Sequence, residues 1–311
     1  MTAGVGLVFP GQGSQSVGMG KALYDHAPIV RAVFEEAADV LGFDVAGLCF
    51  QGPADRLNLT EYTQPALLTV SLAAFRLLEP LALKPVAVAG HSLGEYSALV
   101  AAGGLSFRDA AGLVQKRGRY MAEAVPPGSG MVAAVLGLGV EAVREACREA
   151  SSLGVVAPAN LNCPMQVVIA GEKGPVERAL ELAKAKGCRK AIPLPVSVPV
   201  HTPLMQPAAD RLAKDVETVT WSDLAVPLVN NVDAKPLTRA VEVKASLIRQ
   251  LPSPVLWEDS VRVMASMGVT TFVEVGHGAV LTGLIKRIIP DAKTLNVSDP
   301  ASLDAAVKQL S

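Results

Sequence analysis

The stretch Val86–Ala102, VAVAGHSLGEYSALVAA, constrains this chain more than any other. Val86 to Ala89 is a short apolar run of strand character and a helix begins near Glu95, so only a sharp turn can lie between them. That turn spells G-x-S-x-G: Gly90, His91, Ser92, Leu93, Gly94. Glycines on both sides of the serine suit a reversal so tight that a Cβ at either place would collide with strand or helix. A strand passing straight into a helix belongs in an α/β sheet. Ser92 then stands at the apex with its hydroxyl raised above the helix N-terminus, where backbone N–H groups can meet a developing oxyanion. A plain Ser/Gly turn has the same spelling, so the rest of the chain must decide the chemistry.

With 311 residues the chain can form one large domain or a main domain carrying an insert. Half of it is hydrophobic, yet its formal net charge is only −1 and no long basic block occurs, which argues against nucleic acid as a partner. Gly, Pro or charge interrupts every apolar run before membrane-spanning length. Met1 to Phe9 enters a strand pattern without the basic start of an export signal, so the expected location is the cytoplasm. Cys49, Cys147, Cys163 and Cys188 form no C-x-x-C pair and have no histidine at ligand spacing; reduced thiols are expected, with neither a metal site nor a disulfide framework.

Along the chain, Val5–Phe9 is a strand, followed by Pro10-Gly11-Gln12-Gly13-Ser14-Gln15. Two glycines of a dinucleotide fingerprint are present, but Ser16 stands at the third place and no second strand ending in an acid follows. Such a loop can instead bring a backbone N–H, that of Gln12, to a reacting centre. Ile29, Val30, Val33, Phe34, Ala37 and Leu41 fall at helical spacing, and Thr60–Leu78 reads as a helix with Pro65 in its first turn and its leucines along one side. Ser106 caps the next helix with Asp109 three residues on. That helix sets Arg117 and Met121 on one face, where the arginine is either a snorkelling surface residue or a cation aimed at an anion.

After Pro126-Pro127-Gly128 the pattern runs strand, helix, strand, strand, helix, strand, ending near Leu194; this is the ferredoxin-like order in about 70 residues. The expected architecture is thus α/β: an α/β-hydrolase-like main domain with a short parallel sheet, discontinuous in sequence (1–127 and 198–311), and an inserted ferredoxin-like (βαββαβ) subdomain at 128–197. Ser197 to Pro203 is expected to be extended and proline-stiffened around His201. Helices are expected at Pro207–Val216, Glu242–Gln250 and Trp257–Met267, strands at Val226–Asn230 and Thr271–Val275, and a last long helix at Val280–Ile289. Of the four histidines, His26 lies in a polar stretch and His91 leaves the turn in another direction. His201 and His277 remain as general bases for Ser92.

Phe9-Pro10-Gly11-Gln12-Gly13-Ser14-Gln15, Gln64-Pro65-Ala66, Gly90 to Tyr96, Arg117-Gly118, Gln166 to Gly171, Val198-Pro199-Val200-His201 and Gly283 to Lys286 together resemble the malonyl-CoA:acyl carrier protein transacylase family of fatty acid and polyketide synthesis. The similarity runs nearly end to end. It implies a Ser-His dyad in which Ser92 is the nucleophile, His201 takes its proton, and a backbone carbonyl near Gln250 orients the imidazole. It further implies an oxyanion hole from the N–H groups of Gln12 and Leu93, and Arg117 as partner of the malonyl carboxylate. A guanidinium fork meets a carboxylate in two places, as lysine cannot. An unpaired buried charge costs about 3–5 kcal/mol, so acetyl is expected to be disfavoured roughly a hundredfold or more. One methyl is worth only about 1–3 kcal/mol, so rejection of methylmalonyl falls to walls such as Met121 and Val200. His277 stands where the family usually has proline.

The resemblance implies ping-pong transfer of malonyl from coenzyme A, through a serine ester, to the pantetheine thiol of acyl carrier protein. No cofactor, metal or prosthetic group is required. A serine thioesterase or esterase is the alternative, and a carrier-docking module with a dead site a third. Carrier proteins are acidic, so Lys286-Arg287 and Arg189-Lys190 are candidate docking cations. No repeat or heptad pattern calls for an oligomer, and a monomer is expected.

Overall fold

Ten strands are described in the computed structural model, which covers residues 4–194, 196 and 198–310: β1 (Val5–Phe9), β2 (Ala87–Gly90), β3 (Gly130–Leu136), β4 (Val156–Cys163), β5 (Gln166–Glu172), β6 (Lys190–Pro193), β7 (Leu228–Val229), β8 (Pro236–Leu237), β9 (Thr271–Val275) and β10 (Lys293–Val297). One sheet has the order β10-β9-β1-β2-β7-β8, parallel throughout except for β8 at its edge. Its central strands are buried on both faces, which is why they read as continuous apolar runs rather than alternating ones.

The second sheet, β4-β5-β3-β6, is antiparallel throughout. This is the ferredoxin-like order, as expected. Its residues alternate between faces: Ala133, Val135, Val167 and Ile169 pack under the helices Val140–Ala150 and Lys173–Ala185, whereas Val132, Ala134, Val168 and Ala170 point the other way. Backbone bonds join this sheet to the rest, with Leu161 N–H donating to Val255 O at 2.9 Å and Val255 N–H to Ala159 O at 2.9 Å. Both α/β layers expected from the sequence are therefore present.

Several details differ from expectation. The helix Thr60–Arg76 is buried from Thr63 through Ala74, on all sides rather than one, because the helices Pro28–Leu41 and Phe107–Glu123 both pack on it. Pro65 lies in its second turn, not its first. Gly118 permits one of these contacts: a Cβ there would lie 2.6 Å from Thr60 O, so only glycine lets the helices meet. The segment around His201 is a turn, and His201 itself has φ 59°, in the left-handed region rather than extended. Pro195 and Ser197 lie outside the described residues. Val280–Ile288 is not the last helix; β10 and the helix Pro300–Leu310 follow it. Short helices at Lys21–His26, Val45–Gln51 and Ala54–Leu57 were also unforeseen, and the strand expected over Val226–Asn230 shrinks to Leu228–Val229. Ile29, counted with an apolar face, is 48% exposed.

Candidate active site

The elbow is built as its glycines foretell. A Cβ on Gly90 would run into the backbone of Gly94 and Glu95, and one on Gly94 into the carbonyl of Phe9. Between them Ser92 takes φ 52°, a conformation a non-glycine residue holds only under constraint. The helix Gly94–Ala101 starts directly beyond it.

His201 meets this serine, its Nε2 lying 2.8 Å from Ser92 Oγ. Its Nδ1 faces two carbonyl oxygens, Gln250 O at 3.0 Å and Ser253 O at 3.1 Å. Carbonyls only accept, so Nδ1 carries the proton and Nε2 turns its lone pair to the serine hydroxyl. The expected orienting carbonyl of Gln250 is thus in place, doubled by that of Ser253. Burial first, and the nearby Arg117 cation second, push the His201 pKa down to about 3, so the imidazole is neutral and ready to accept a proton.

Arg117 is 1% exposed, which disposes of the snorkelling reading. Its Nη1 donates to Gln64 Oε1 at 2.7 Å, and its Nη2 donates to Gln250 Oε1 at 3.0 Å and to Ser92 Oγ at 3.1 Å. Among the described residues no carboxylate lies within ion-pairing distance of it and its Nε has no acceptor. The guanidinium is therefore held by neutral amides, beside the serine, with its charge uncompensated by direct contact. The Tyr96 ring centroid lies 5.7 Å from the Arg117 Cζ, and Glu95, next to Gly94 in the helix, acts on it through space; burial raises the Glu95 pKa to about 7.

Ser92 N–H donates to Asn231 Oδ1 at 2.7 Å, so it is already engaged. The N–H groups of Gln12 and Leu93 have no acceptor within the protein among the described residues. A cavity of about 210 Å³ opens here, lined on one side by Gln12, Ser92, Arg117, Met121, Val200 and His201, and on the other by Val132, Asn160, Asn162, Gln166 and Val168 of the second sheet. Met121 Sδ also lies 3.2 Å from Gln64 Nε2.

His277 is not brought to Ser92: its Nε2 lies 2.8 Å from Ser16 Oγ, at the surface. The neighbouring histidine of the elbow, His91, bonds Asn162 Oδ1 at 2.8 Å and packs on Trp257, tying elbow to second sheet. The four candidate docking cations are exposed. Arg287 donates to Gln166 Oε1 at 2.7 Å, Gln166 pairs with Leu136, and Leu136 with Lys190. One end of the second sheet thus carries Arg287 against β5 and Lys190 on β6, and of this row Gln166 lines the cavity. Asn231, Glu95 and the side chain of Gln250 were missed from sequence. The only signal was the Asn230-Asn231 pair closing an apolar run.

An elbow serine in line with a buried neutral imidazole, on a parallel α/β sheet, defines the class of serine enzymes that pass acyl groups through an ester. A family model described as an acyl transferase domain matches residues 7–302. The malonyl CoA-acyl carrier protein transacylase of Salmonella typhimurium is 51% identical over 304 residues, covering 97% of this chain and 98% of the relative. An acyl carrier protein S-malonyltransferase structure from Vibrio cholerae superposes with a TM-score of 0.95 at 49% identity, covering 97% of this chain and 99% of that one. A malonyl-transacylase solved in complex with a type II polyketide synthase acyl-carrier protein gives 0.97 at 46%, covering 99% and 100%. The chain belongs to the malonyl-CoA:acyl carrier protein transacylases of the acyl transferase family.

Proposed function

We propose that this protein moves malonyl from malonyl-CoA to the pantetheine thiol of acyl carrier protein, through a malonyl ester on Ser92. Ser92 Oγ attacks the thioester carbonyl while His201 Nε2 takes its proton. The N–H groups of Gln12 and Leu93 receive the oxyanion. The C–S bond breaks and the coenzyme A sulfur leaves with the proton from His201. The carrier thiol then repeats the sequence in reverse, giving its proton to His201 and releasing Ser92. No step calls for a metal or cofactor; coenzyme A enters only as substrate.

The observation that carries this reading is Arg117: a buried guanidinium without a carboxylate contact, 3.1 Å from the nucleophile. A malonyl ester on Ser92 would place its free carboxylate beside that charge, and Met121 and Val200 would bound the methylene between. Acidic carrier would dock across Lys286, Arg287, Arg189 and Lys190. Residues 128–197 would act as a subdomain roofing the site. No helix among the described residues is long and apolar enough to cross a membrane, and the protein would work in the cytoplasm as a monomer on carriers of fatty acid or polyketide synthesis.

Intact mass after brief exposure to malonyl-CoA, then to acyl carrier protein, tests this. The expected result is a malonyl adduct that requires Ser92 and moves to the carrier. An adduct that decays to malonate while the carrier stays unmodified would establish the thioesterase instead.

A further inference from the structure

Asn231 lies two residues beyond β7, fully buried, and both polar atoms of its side chain converge on the elbow. Its Oδ1 accepts from Ser92 N–H at 2.7 Å and its Nδ2 donates to Gly90 O at 2.7 Å, so one amide spans the turn on both sides of His91. Its own N–H donates to Glu95 Oε2 at 2.9 Å, and its carbonyl accepts from Leu256 N–H at 2.8 Å. Past Gly90 the chain still bonds β1 through His91 N–H and Phe9 O, but among the described residues no strand pairs Gly90 O and Ser92 N–H on the β7 side, and the side chain of Asn231 meets them instead. Gln250 Nε2 completes the hold by donating to Ser92 O at 3.1 Å.

We infer that Asn231, anchored by Glu95, is a positioning residue for the nucleophile: it fixes Ser92 in its left-handed conformation and removes the Ser92 N–H from competition for the oxyanion. The physical need is plain. A serine at φ 52° relaxes toward the ordinary regions of backbone space unless its neighbours determine it. Relaxation would swing Oγ off the lone pair of His201 and turn the Leu93 N–H away from the oxyanion. With the Ser92 N–H bound internally, the oxyanion must be met by Leu93 and Gln12, whose N–H groups are free. Glu95 acts through Asn231, by the hydrogen bond it accepts.

The test reads Ser92 with two reagents, since the inference rests on the acyl-transfer reading only for the first. Malonyl-CoA reports acylation; a fluorophosphonate reports the serine alone, with Oγ bonding to phosphorus, fluoride leaving and His201 taking the hydroxyl proton. Asn231→Ala is expected to slow both reactions about tenfold or more, with KM for malonyl-CoA and the malonyl-over-acetyl preference unchanged within about threefold. Its melting temperature should fall by no more than about 5 °C. Glu95→Ala should show a smaller loss of the same kind, and Glu95→Gln, which keeps an acceptor facing the Asn231 N–H, should recover most of it. Should Asn231→Ala not fold, the Glu95 pair decides. Wild-type labelling rates in Asn231→Ala, equal losses in the two Glu95 variants, or losses matching only the unfolded fraction overturn the inference. Wild-type protein that takes the fluorophosphonate but no malonyl would overturn the functional reading instead.

Discussion

The two walls of the cavity are made differently. On the elbow side the groups that touch the serine are held in place: His201 by two carbonyls, Arg117 by two amides, Asn231 across the turn. The opposite wall is one face of an antiparallel sheet, small apolar residues interspersed with the amides Asn160, Asn162 and Gln166. In the proposed reaction the elbow wall would fix where bonds are made and broken, through a buried polar network in which Arg117 Nε and Tyr96 Oη are left without a partner among the described residues. The other shapes what can enter. Changes on the elbow side should therefore appear in the rate of acyl transfer, and changes on the sheet side and its rim in the apparent affinity for donor or carrier.

The largest effect is expected at Arg117. Replacing it by alanine should cut malonylation by roughly a hundred- to a thousandfold, the worth of about 3–4 kcal/mol, while acetylation from acetyl-CoA is unchanged or improved. Equal losses on both donors would show that Arg117 serves the fold and not the acyl group. Next comes the rim: Lys286→Glu with Arg287→Glu should raise KM for carrier protein about tenfold at low salt and less at high salt, with coenzyme A kinetics untouched. An unchanged KM would remove those cations from the docking face and blur the division between the walls.

A pH measurement sharpens it further. His201 is held below its unfolded pKa, so between the two values the unfolded chain binds more protons than the native one. The stability it contributes is therefore full above pH 6.5 and is lost as pH falls toward about 3. Glu95 runs the other way, since its raised pKa makes the native state lose stability as pH rises from 4.5 through about 7. Comparing urea unfolding of the wild type and His201→Gln between pH 7 and 5 isolates the histidine; parallel curves would mean that the imidazole is not held neutral. Smallest of all, His277→Pro should leave acylation within about twofold, because His277 is partnered by Ser16 and not by the dyad.

The parts of this arrangement that were legible in sequence are those with a local spelling. The G-x-S-x-G turn demands its glycines for steric reasons within five residues, and the alternation of β3 and β5 declares two faces. The helix Pro300–Leu310 was also spelled out and overlooked: Asp299 and Ser302 cap each other reciprocally, Ser302 N–H to Asp299 Oδ1 at 2.8 Å and Asp299 N–H to Ser302 Oγ at 3.0 Å. Its preceding strand, β10, is a half-exposed edge with little apolar periodicity to mark it. Asn231 belongs to another kind. Its role arises from a contact across 139 positions of sequence, and the Asn230-Asn231 pair that closes an apolar run marks the place without announcing the role. The turn conformation of His201 is likewise set by where its ring must reach, which overrode the extended bias of the prolines around it.

Among the described residues no carboxylate touches Arg117, and Glu95 reaches it only through space. The resting protein holds that cationic charge at its centre, and a malonyl ester on Ser92, in the proposed reaction, would cancel it by bringing a carboxylate to the guanidinium. That same contact screens the cation that helps to depress His201, leaving a stronger base for the second half of the cycle than for the first. The loaded protein should accordingly melt above the empty one. In a working cell the molecule would be most robust midway through its task, as a reservoir of activated three-carbon units waiting for a carrier.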